Sequence, residues 1–392
     1  MRLSGSPRSQ RPARQRKAVT AMKVGIPREV KNNEYRVAIT PAGTRELTSH
    51  GHQVYLEKDA GAGSQFADDD YTAAGATIIP DADEVWGTAD MVLKVKEPVA
   101  QEYHRMRPGL TLFTYLHLAA DKACTDALLS SKVTGIAYET VQLADGSLPL
   151  LAPMSEVAGR LGPQVGAYHL MRSGGGHGVL LGGVPGTRPA HVIVLGGGVS
   201  GQQAAQVAVG MGARVTVLDR NIAKLREIDA RYQGRVETVA SSGYEVERAV
   251  LAADLVIGAV LVTGAKAPKL VSSDLVRRMK PGSVLVDIAI DQGGCFADSH
   301  PTTHADPVFG VHGSVFYCVA NMPGAVPHTS TCALTNATLP YAVELADQGW
   351  RQALKADPAL ALGLNTHEGT VTNAPVAAAH GYQPRTVASA LA

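Results

Sequence analysis

The stretch His191-Val-Ile-Val-Leu-Gly-Gly-Gly-Val-Ser-Gly201 is a short apolar run followed by glycines at 196, 198 and 201. This is the G-x-G-x-x-G register of a strand that turns sharply into a helix. Gly196 suits the tight turn, Gly198 lets the backbone approach a pyrophosphate, and Gly201 lets helix and strand pack closely. The helix start offers free N–H groups and a positive dipole end to phosphates. Arg214-Val-Thr-Val-Leu-Asp219 supplies the next strand, and Asp219 ends it 23 residues after Gly196. A carboxylate there accepts from the ribose hydroxyls and repels a 2′-phosphate. Residues 191–219 therefore predict a βαβ dinucleotide-binding unit that prefers NAD over NADP. Arg220 works against that preference, because a guanidinium there can stack on adenine or attract a 2′-phosphate.

Regular alternation continues on both sides of this unit. Upstream, strands are predicted over Lys23–Ile26, Gln53–Glu57, Met91–Val95, Thr111–Leu116 and Thr134–Tyr138. Thr40-Pro41 provides a cap and a first-turn proline for a helix ending near Ser49, and a second helix is expected over Asp121–Ser130. Downstream come helices over Gln202–Met211, Ile222–Tyr232 and Ser273–Lys280, and strands over Asp254–Val260, Ser283–Ile290 and Val315–Val319. A helical tail runs from Leu334 to Trp350. Strands alternating with helices predict an α/β fold of two Rossmann-like domains with parallel sheets. The nucleotide domain, residues 150–327, is inserted between two parts of the first, 22–149 and 328–392. A helical stretch beginning near Met154 is the linker.

The bulk numbers agree with this division. A chain of 392 residues exceeds one ordinary core, and its 45% hydrophobic and 18% charged residues are those of a globular protein. The formal charge of +1 favours neither nucleic acid nor an anionic membrane. Residues 1–21 hold six basic groups and no acid, so the remaining 30 basic groups face 35 acidic ones. Arg-rich and lacking an apolar core, that head reads as a disordered basic leader, with Met22 opening the first strand. Cys124, Cys295, Cys318 and Cys332 lie far apart in sequence, which fits a reducing cytoplasm better than a disulfide framework or zinc site.

Few residues are placed for chemistry. Arg36, just before the Thr40 helix, has the fork to hold a carboxylate, or is a solvated surface group. Lys96 ends the apolar strand in Val92-Leu-Lys-Val-Lys-Glu-Pro98, at the end of a strand where parallel sheets meet ligands, or is a surface lysine with a solvated head. His117 follows another such strand and can exchange a proton near neutral pH, or is a satisfied core histidine. Asp287 and Asp291 bracket Ile288-Ala-Ile290, and Asp291 precedes Gly293-Gly294 at the crevice. One of the two is expected to be structural.

The segments GIPREVKNNEYRVAITPAG, LLAPMSEVAGR, GAKAPKLVS, VLVDIAIDQGGC, CVANMPG and TSTCALTNAT resemble those of the bacterial alanine dehydrogenase family, over nearly all of Met22–Ala392. KVKEP and TYLHLA are shared with the soluble nucleotide-binding subunit of proton-translocating transhydrogenase and, more distantly, with saccharopine dehydrogenases. The resemblance implies NAD-dependent oxidative deamination of L-alanine to pyruvate and ammonium. It makes Arg36 and Lys96 substrate-binding and His117 and Asp291 catalytic. It implies cofactor contacts at Ser155, Val199, Ser200, Asp219, Lys224, Ser241, Val260, Leu261, Ile288, Ala289, Ile290, Asp291, Val319, Ala320, Asn321 and Met322, beside the three loop glycines. A homohexamer is implied too, and the charge balance and the lack of a long apolar run argue against nucleic-acid and membrane partners. Some members bind a metal through a Glu and a His one helical turn apart. Here Glu344 is followed by Gln348, a weak ligand for most ions though its carbonyl suits Mg²⁺, which argues against a resident metal. The alternative is a transhydrogenase-type subunit, which predicts tight NADH binding without turnover of alanine.

Overall fold

The computed structural model describes residues 21–260 and 267–392. The leader residues 1–20, Leu261 and the first three residues of GAKAPKLVS lie outside the described residues. The first sheet is built from β1 (Lys23–Ile26), helix α1 (Pro41–Ser49), β2 (Gln53–Glu57), α2 (Asp68–Ala73), β3 (Thr77–Ile79), α3 (Ala82–Thr88), β4 (Met91–Leu93), β5 (Thr111–Thr114), α4 (Lys122–Ser130) and β6 (Thr134–Ala137). The Thr40 hydroxyl accepts from the Gly43 N–H and Pro41 takes the first turn, as the cap pattern predicts. These six of its eight strands run parallel in the order β3-β2-β1-β4-β5-β6.

A long helix, α5 (Ala152–Leu170), leads into the second sheet. That sheet holds β7 (His191–Leu195), α6 (Val199–Gly210), β8 (Arg214–Asp219), α7 (Ile222–Tyr232), β9 (Val236–Ala240), α8 (Gly243–Ala252), β10 (Leu255–Gly258), α9 (Ser273–Arg277), β11 (Val284–Asp287), β12 (Val308–Val311) and β13 (Ser314–Tyr317). The order β9-β8-β7-β10-β11-β13 repeats that of the first sheet, and β12 adds an antiparallel edge. In both sheets the order reverses beside the first strand, between β1 and β4 and between β7 and β10. Doubly wound sheets bind ligands outside the carboxyl ends of the strands at that reversal.

The chain then returns to the first sheet. Helix α10 (Pro327–Gln348) stops at Gly349, whose φ is +73°, and α11 (Trp350–Ala356) and α12 (Pro358–Ala361) follow. The helical tail expected over Leu334–Trp350 is therefore one long helix that begins earlier and breaks at a glycine. Beyond it β14 (Leu364–His367) pairs antiparallel with β6 and β15 (Thr370–Val371) with β14, before α13 (Ala374–His380) and α14 (Val387–Leu391). Two strands of the first sheet thus come from the far end of the chain.

Glycines set how closely α5 approaches the second sheet. A Cβ on Gly159 would lie 2.3 Å from the Ser200 carbonyl of α6, and one on Gly166 would lie 2.6 Å from the Leu255 side chain of β10. No helix among the described residues is long and apolar enough to cross a membrane.

Candidate active site

The loop after β7 meets its conformational demands glycine by glycine. Gly196 has φ +106°, a conformation open to few other residues. A Cβ on Gly201 would sit 1.7 Å from the Gly196 carbonyl oxygen, so the α6 start rides directly on the turn. Gly198 differs: a Cβ there would meet nothing closer than Lys224 Nζ at 4.0 Å. Among the described residues no contact requires glycine at 198. The room beside this bare backbone, at a helix start that no side chain caps, suits a pyrophosphate. Asp219 ends β8 beside this loop. Its Oδ2 accepts the Gly197 N–H at 2.7 Å and its Oδ1 the Asn221 N–H at 2.7 Å. Each oxygen keeps a lone pair for a ribose hydroxyl. Arg220 is exposed, Lys224 and Ser241 are half-buried nearby, and the Ser241 N–H donates to the Asp219 carbonyl. These residues fit a bound dinucleotide.

A cleft beside the loop is lined by residues of both sheets. His117 comes from the first, Leu151, Met154 and Ser155 from the start of α5 between the sheets, and Ser200, Val260, Ile288, Ala289, Asp291, Val319 and Met322 from the second. His117 and Asp291, 174 positions apart in sequence, share this cleft. Ile290 does not line it: it is 3% exposed and packs into the core under β11, because the short turn over Ile290–Gln292 rotates its side chain inward. Val199, Ala320 and Asn321 also lie outside the lining. Asp287 is the structural member of its pair. It is fully buried and accepts from Ser299 Oγ at 2.6 Å and from the N–H groups of Cys295, Phe296 and Ala289. Burial nevertheless pushes its carboxyl above the usual range, against those hydrogen bonds. Asp291 is exposed at the lip, and its Oδ1 lies 3.4 Å from the Asn321 N–H.

His117 sits in the left-handed region at φ +49°, uncommon for a residue with a side chain. Glu139 holds it there, accepting the His117 N–H at 2.6 Å and the Leu116 N–H at 3.2 Å. The imidazole is 39% exposed, and its Nδ1 faces Glu97 Oε2 at 3.6 Å. Glu97 also pairs with Lys31. Burial acts against its charge, but His117, Lys96 and Lys31 together hold its carboxyl well below the ordinary range.

Arg36 is 2% exposed rather than solvated. Its Nε and Nη2 donate to Glu34 at 2.6 and 2.5 Å, and Nη2 also donates to Asn321 Oδ1 at 2.7 Å. Among the described residues Nη1 meets only the Met154 thioether, at 3.0 Å. That weak acceptor leaves Nη1 the part of the fork open to another ligand. Burial alone would raise the Glu34 carboxyl, but the adjoining guanidinium brings it down to about 2. Lys96 is half-buried and makes no ion pair among the described residues. Its segment is anchored by Lys94, fully buried between Glu29 at 2.9 Å and Glu102 at 3.0 Å. Glu29 also accepts the Val95 N–H at 2.6 Å.

Glu29, Glu34, Glu97, Glu102 and Glu139 escaped the sequence reading. Their signal was faint: Lys94, Lys96 and Glu97 are charges at the end of a strand from a parallel sheet, and such charges, once buried, need partners. At Glu344 the carboxylate accepts from the Gln348 amide nitrogen at 3.3 Å, so Gln348 turns a donor, not a lone pair, toward that point. The neighbouring Asp347 is engaged by His50 and His52. These residues do not fit a resident metal, and no group of three or more His, Cys, Asp or Glu converges among the described residues.

Two doubly wound units facing one another across a cleft, with a dinucleotide cradle on one side and an imidazole on the other, define a pyridine-nucleotide dehydrogenase architecture. Residues 25–158 match the family described as "Alanine dehydrogenase/PNT, N-terminal domain" and residues 162–374 its C-terminal domain. The chain belongs to the alanine dehydrogenase/PNT family. It is 65% identical over 371 residues to alanine dehydrogenase of Mycobacterium tuberculosis H37Rv, covering 95% of this chain and 100% of the relative. A solved L-alanine dehydrogenase structure superposes with a TM-score of 0.89 at 51% identity, covering 92% of this chain and 99% of that one. A transhydrogenase from Sinorhizobium meliloti is more distant, with a TM-score of 0.76 at 26% identity, covering 90% and 99%.

Proposed function

We infer that this chain catalyses the reversible NAD-dependent oxidative deamination of L-alanine: L-alanine, NAD⁺ and water give pyruvate, ammonium, NADH and a proton. The observation that carries this reading is the shared cleft of His117 and Asp291 beside the Gly196–Gly201 cradle, in a chain 65% identical to an alanine dehydrogenase over nearly its whole length. NAD, when bound, supplies the acceptor for the hydride that leaves the alanine Cα. Gly198 and the α6 start receive its pyrophosphate, and Asp219 its ribose hydroxyls, which favours NAD over NADP.

The chain's own groups handle charge and protons. Arg36 offers Nη1 to the substrate carboxylate, and Lys96 stabilises negative charge on the substrate oxygen. His117 takes the proton from the hydroxyl of the hydrated imine carbon as ammonia departs, and returns it in the reverse direction. Asp291, in the same cleft, orients the amine and the attacking water. The two units close over the substrate and exclude solvent. The cysteine pattern adds a cytoplasmic setting to this reading and the family resemblance a homohexamer, which light scattering at six times the chain mass would support.

The test is NADH formation with L-alanine, glycine, serine and saccharopine side by side. Turnover of L-alanine well above the others supports the reading. Tight NADH binding without turnover of alanine favours the transhydrogenase-type role instead.

A further inference from the structure

The Nδ1 of His117 and the Oε2 of Glu97 are both buried, and among the described residues neither has a hydrogen-bond partner. They face one another at 3.6 Å, a little beyond hydrogen-bond range. Two unpaired polar atoms this close leave one economical arrangement: a small rotation of either side chain closes an N–H···O⁻ bond. The side chain as a whole is 39% exposed and lines the cleft, so with Nδ1 buried the exposure falls to the rest of the ring, which carries Nε2.

We propose that Glu97 is a positioning residue for His117: its carboxylate holds the proton on Nδ1, fixes the plane of the ring, and leaves Nε2 as the atom that exchanges a proton with substrate. The proposal rests on the reading of His117 as the proton-transferring group. A buried carboxylate behind an imidazole selects one tautomer and stabilises the cationic form as it develops. Glu97 is well placed for this because it remains ionised: its other oxygen pairs with Lys31 from the segment after β1, and Lys96 stands beside it. The other groups around the ring are accounted for. Glu139 is committed to the backbone of Leu116 and His117, Tyr115 packs its ring 5.7 Å from the imidazole and donates its hydroxyl to Leu150, and Asp291 lines the cleft from the segment after β11, with its Oδ1 near the Asn321 N–H. Glu97 is the carboxylate that meets Nδ1.

The consequence differs between the two directions of reaction, which separates this role from simple structural support. Deamination needs the imidazole neutral, and amination needs it protonated. Replacing the carboxylate by an uncharged amide makes the cation less stable. The acid limb of the deamination profile and the matching limb of the amination profile should therefore both move to lower pH, by about one unit.

The experiment compares E97Q, K31M and His117→Asn with the parent enzyme, measuring kcat/KM against pH in both directions and NADH affinity by fluorescence. We expect E97Q to shift both limbs downward together, with turnover reduced at least tenfold and NADH affinity within twofold. K31M keeps the carboxylate and should leave the limbs in place or move them upward. If E97Q leaves both limbs where they are while His117→Asn abolishes turnover, the positioning role is wrong and the role of His117 stands. If E97Q and K31M behave alike, the Glu97–Lys31 bridge is only structural and the proposal fails. Substantial turnover in folded His117→Asn would overturn the underlying reading itself.

Discussion

Arg36 Nη2 donates to Asn321 Oδ1 at 2.7 Å, tying the segment after β1 of the first sheet to the segment after β13 of the second. Asn321 answers by donating its Nδ2 to Glu34 at 2.9 Å, so the amide reads both members of the Glu34–Arg36 pair. Asn321 sits at φ +58°, a conformation asparagine tolerates better than most residues. Asn321→Ala removes the tie and leaves the ion pair intact. The KM for L-alanine should rise roughly tenfold, the cost of about one charge-assisted hydrogen bond in positioning the fork. Steady-state kinetics check this, and an unchanged KM would refute it.

The Glu34 carboxyl titrates near 2 in the folded protein against an ordinary value of 4.5. Its folded value is the lower one, so its stabilisation is complete above the ordinary value and is lost as pH falls from there toward 2. Glu34→Gln should destabilise the protein on the order of 3 kcal/mol at neutral pH, because it strands a buried guanidinium. The melting-temperature gap between parent and variant should then narrow below pH 4.5. A gap of constant size down to the acid limit would contradict the ion-pair account.

Gly198 and Gly201 are one motif with two separate physical roles. Gly201→Ala forces a methyl group onto the Gly196 carbonyl and should lower the melting temperature sharply. Gly198→Ala meets no atom of the described residues closer than 4.0 Å. It should melt within a degree or two of the parent yet bind NADH at least tenfold more weakly. Calorimetry and fluorescence titration on the two variants make the comparison. Equal losses of stability would remove the argument that the space at 198 belongs to a ligand.

Asp219→Ser should reduce kcat/KM with NAD at least tenfold and raise it with NADP, since the repulsive carboxylate is gone and Arg220 remains exposed beside the site. The measured quantity is the ratio of the two kcat/KM values. A ratio that does not move would show that Asp219 does not select the cofactor.

Where local signals are strong, the sequence announces the structure. The β7 run, the three glycines and Asp219 carry their geometry in spacing alone, and so do Thr40 and Pro41. The strands that escaped reading lack such signals. β9 is Val236-Glu-Thr-Val-Ala240, too short and too polar to stand out, and β14 is Leu364-Asn-Thr-His367, which looks like a loop. It becomes a buried strand only because β6 offers it an edge. The same division runs through the site. Arg36, Lys96, His117 and Asp291 could be singled out by residue type and by position at strand ends. Their partners could not, because pairing is settled across space: Glu29 meets Lys94 at a separation of 65 residues, and Asn321 meets Arg36 at 285. Nor does spacing reveal that Ile290 turns inward while its neighbours Ala289 and Asp291 face the cleft, since that depends on one short turn.

The return of β14 to β6 has a consequence for biosynthesis. Thr366 and Val133, hydrogen-bonded across that junction, are 233 residues apart. Closing so wide a gap in an extended chain is entropically costly, and a compact second sheet that brings α5 and α10 together shortens the effective loop. The expected order of assembly on the ribosome is therefore not the order of the sequence: the middle of the polypeptide matures first, and the segment made earliest waits for the segment made last. Nascent chains stalled after β13 should already protect the second sheet from protease while β6 remains open to cleavage. Early protection of both sheets would mean that the first needs no help from its distant strands.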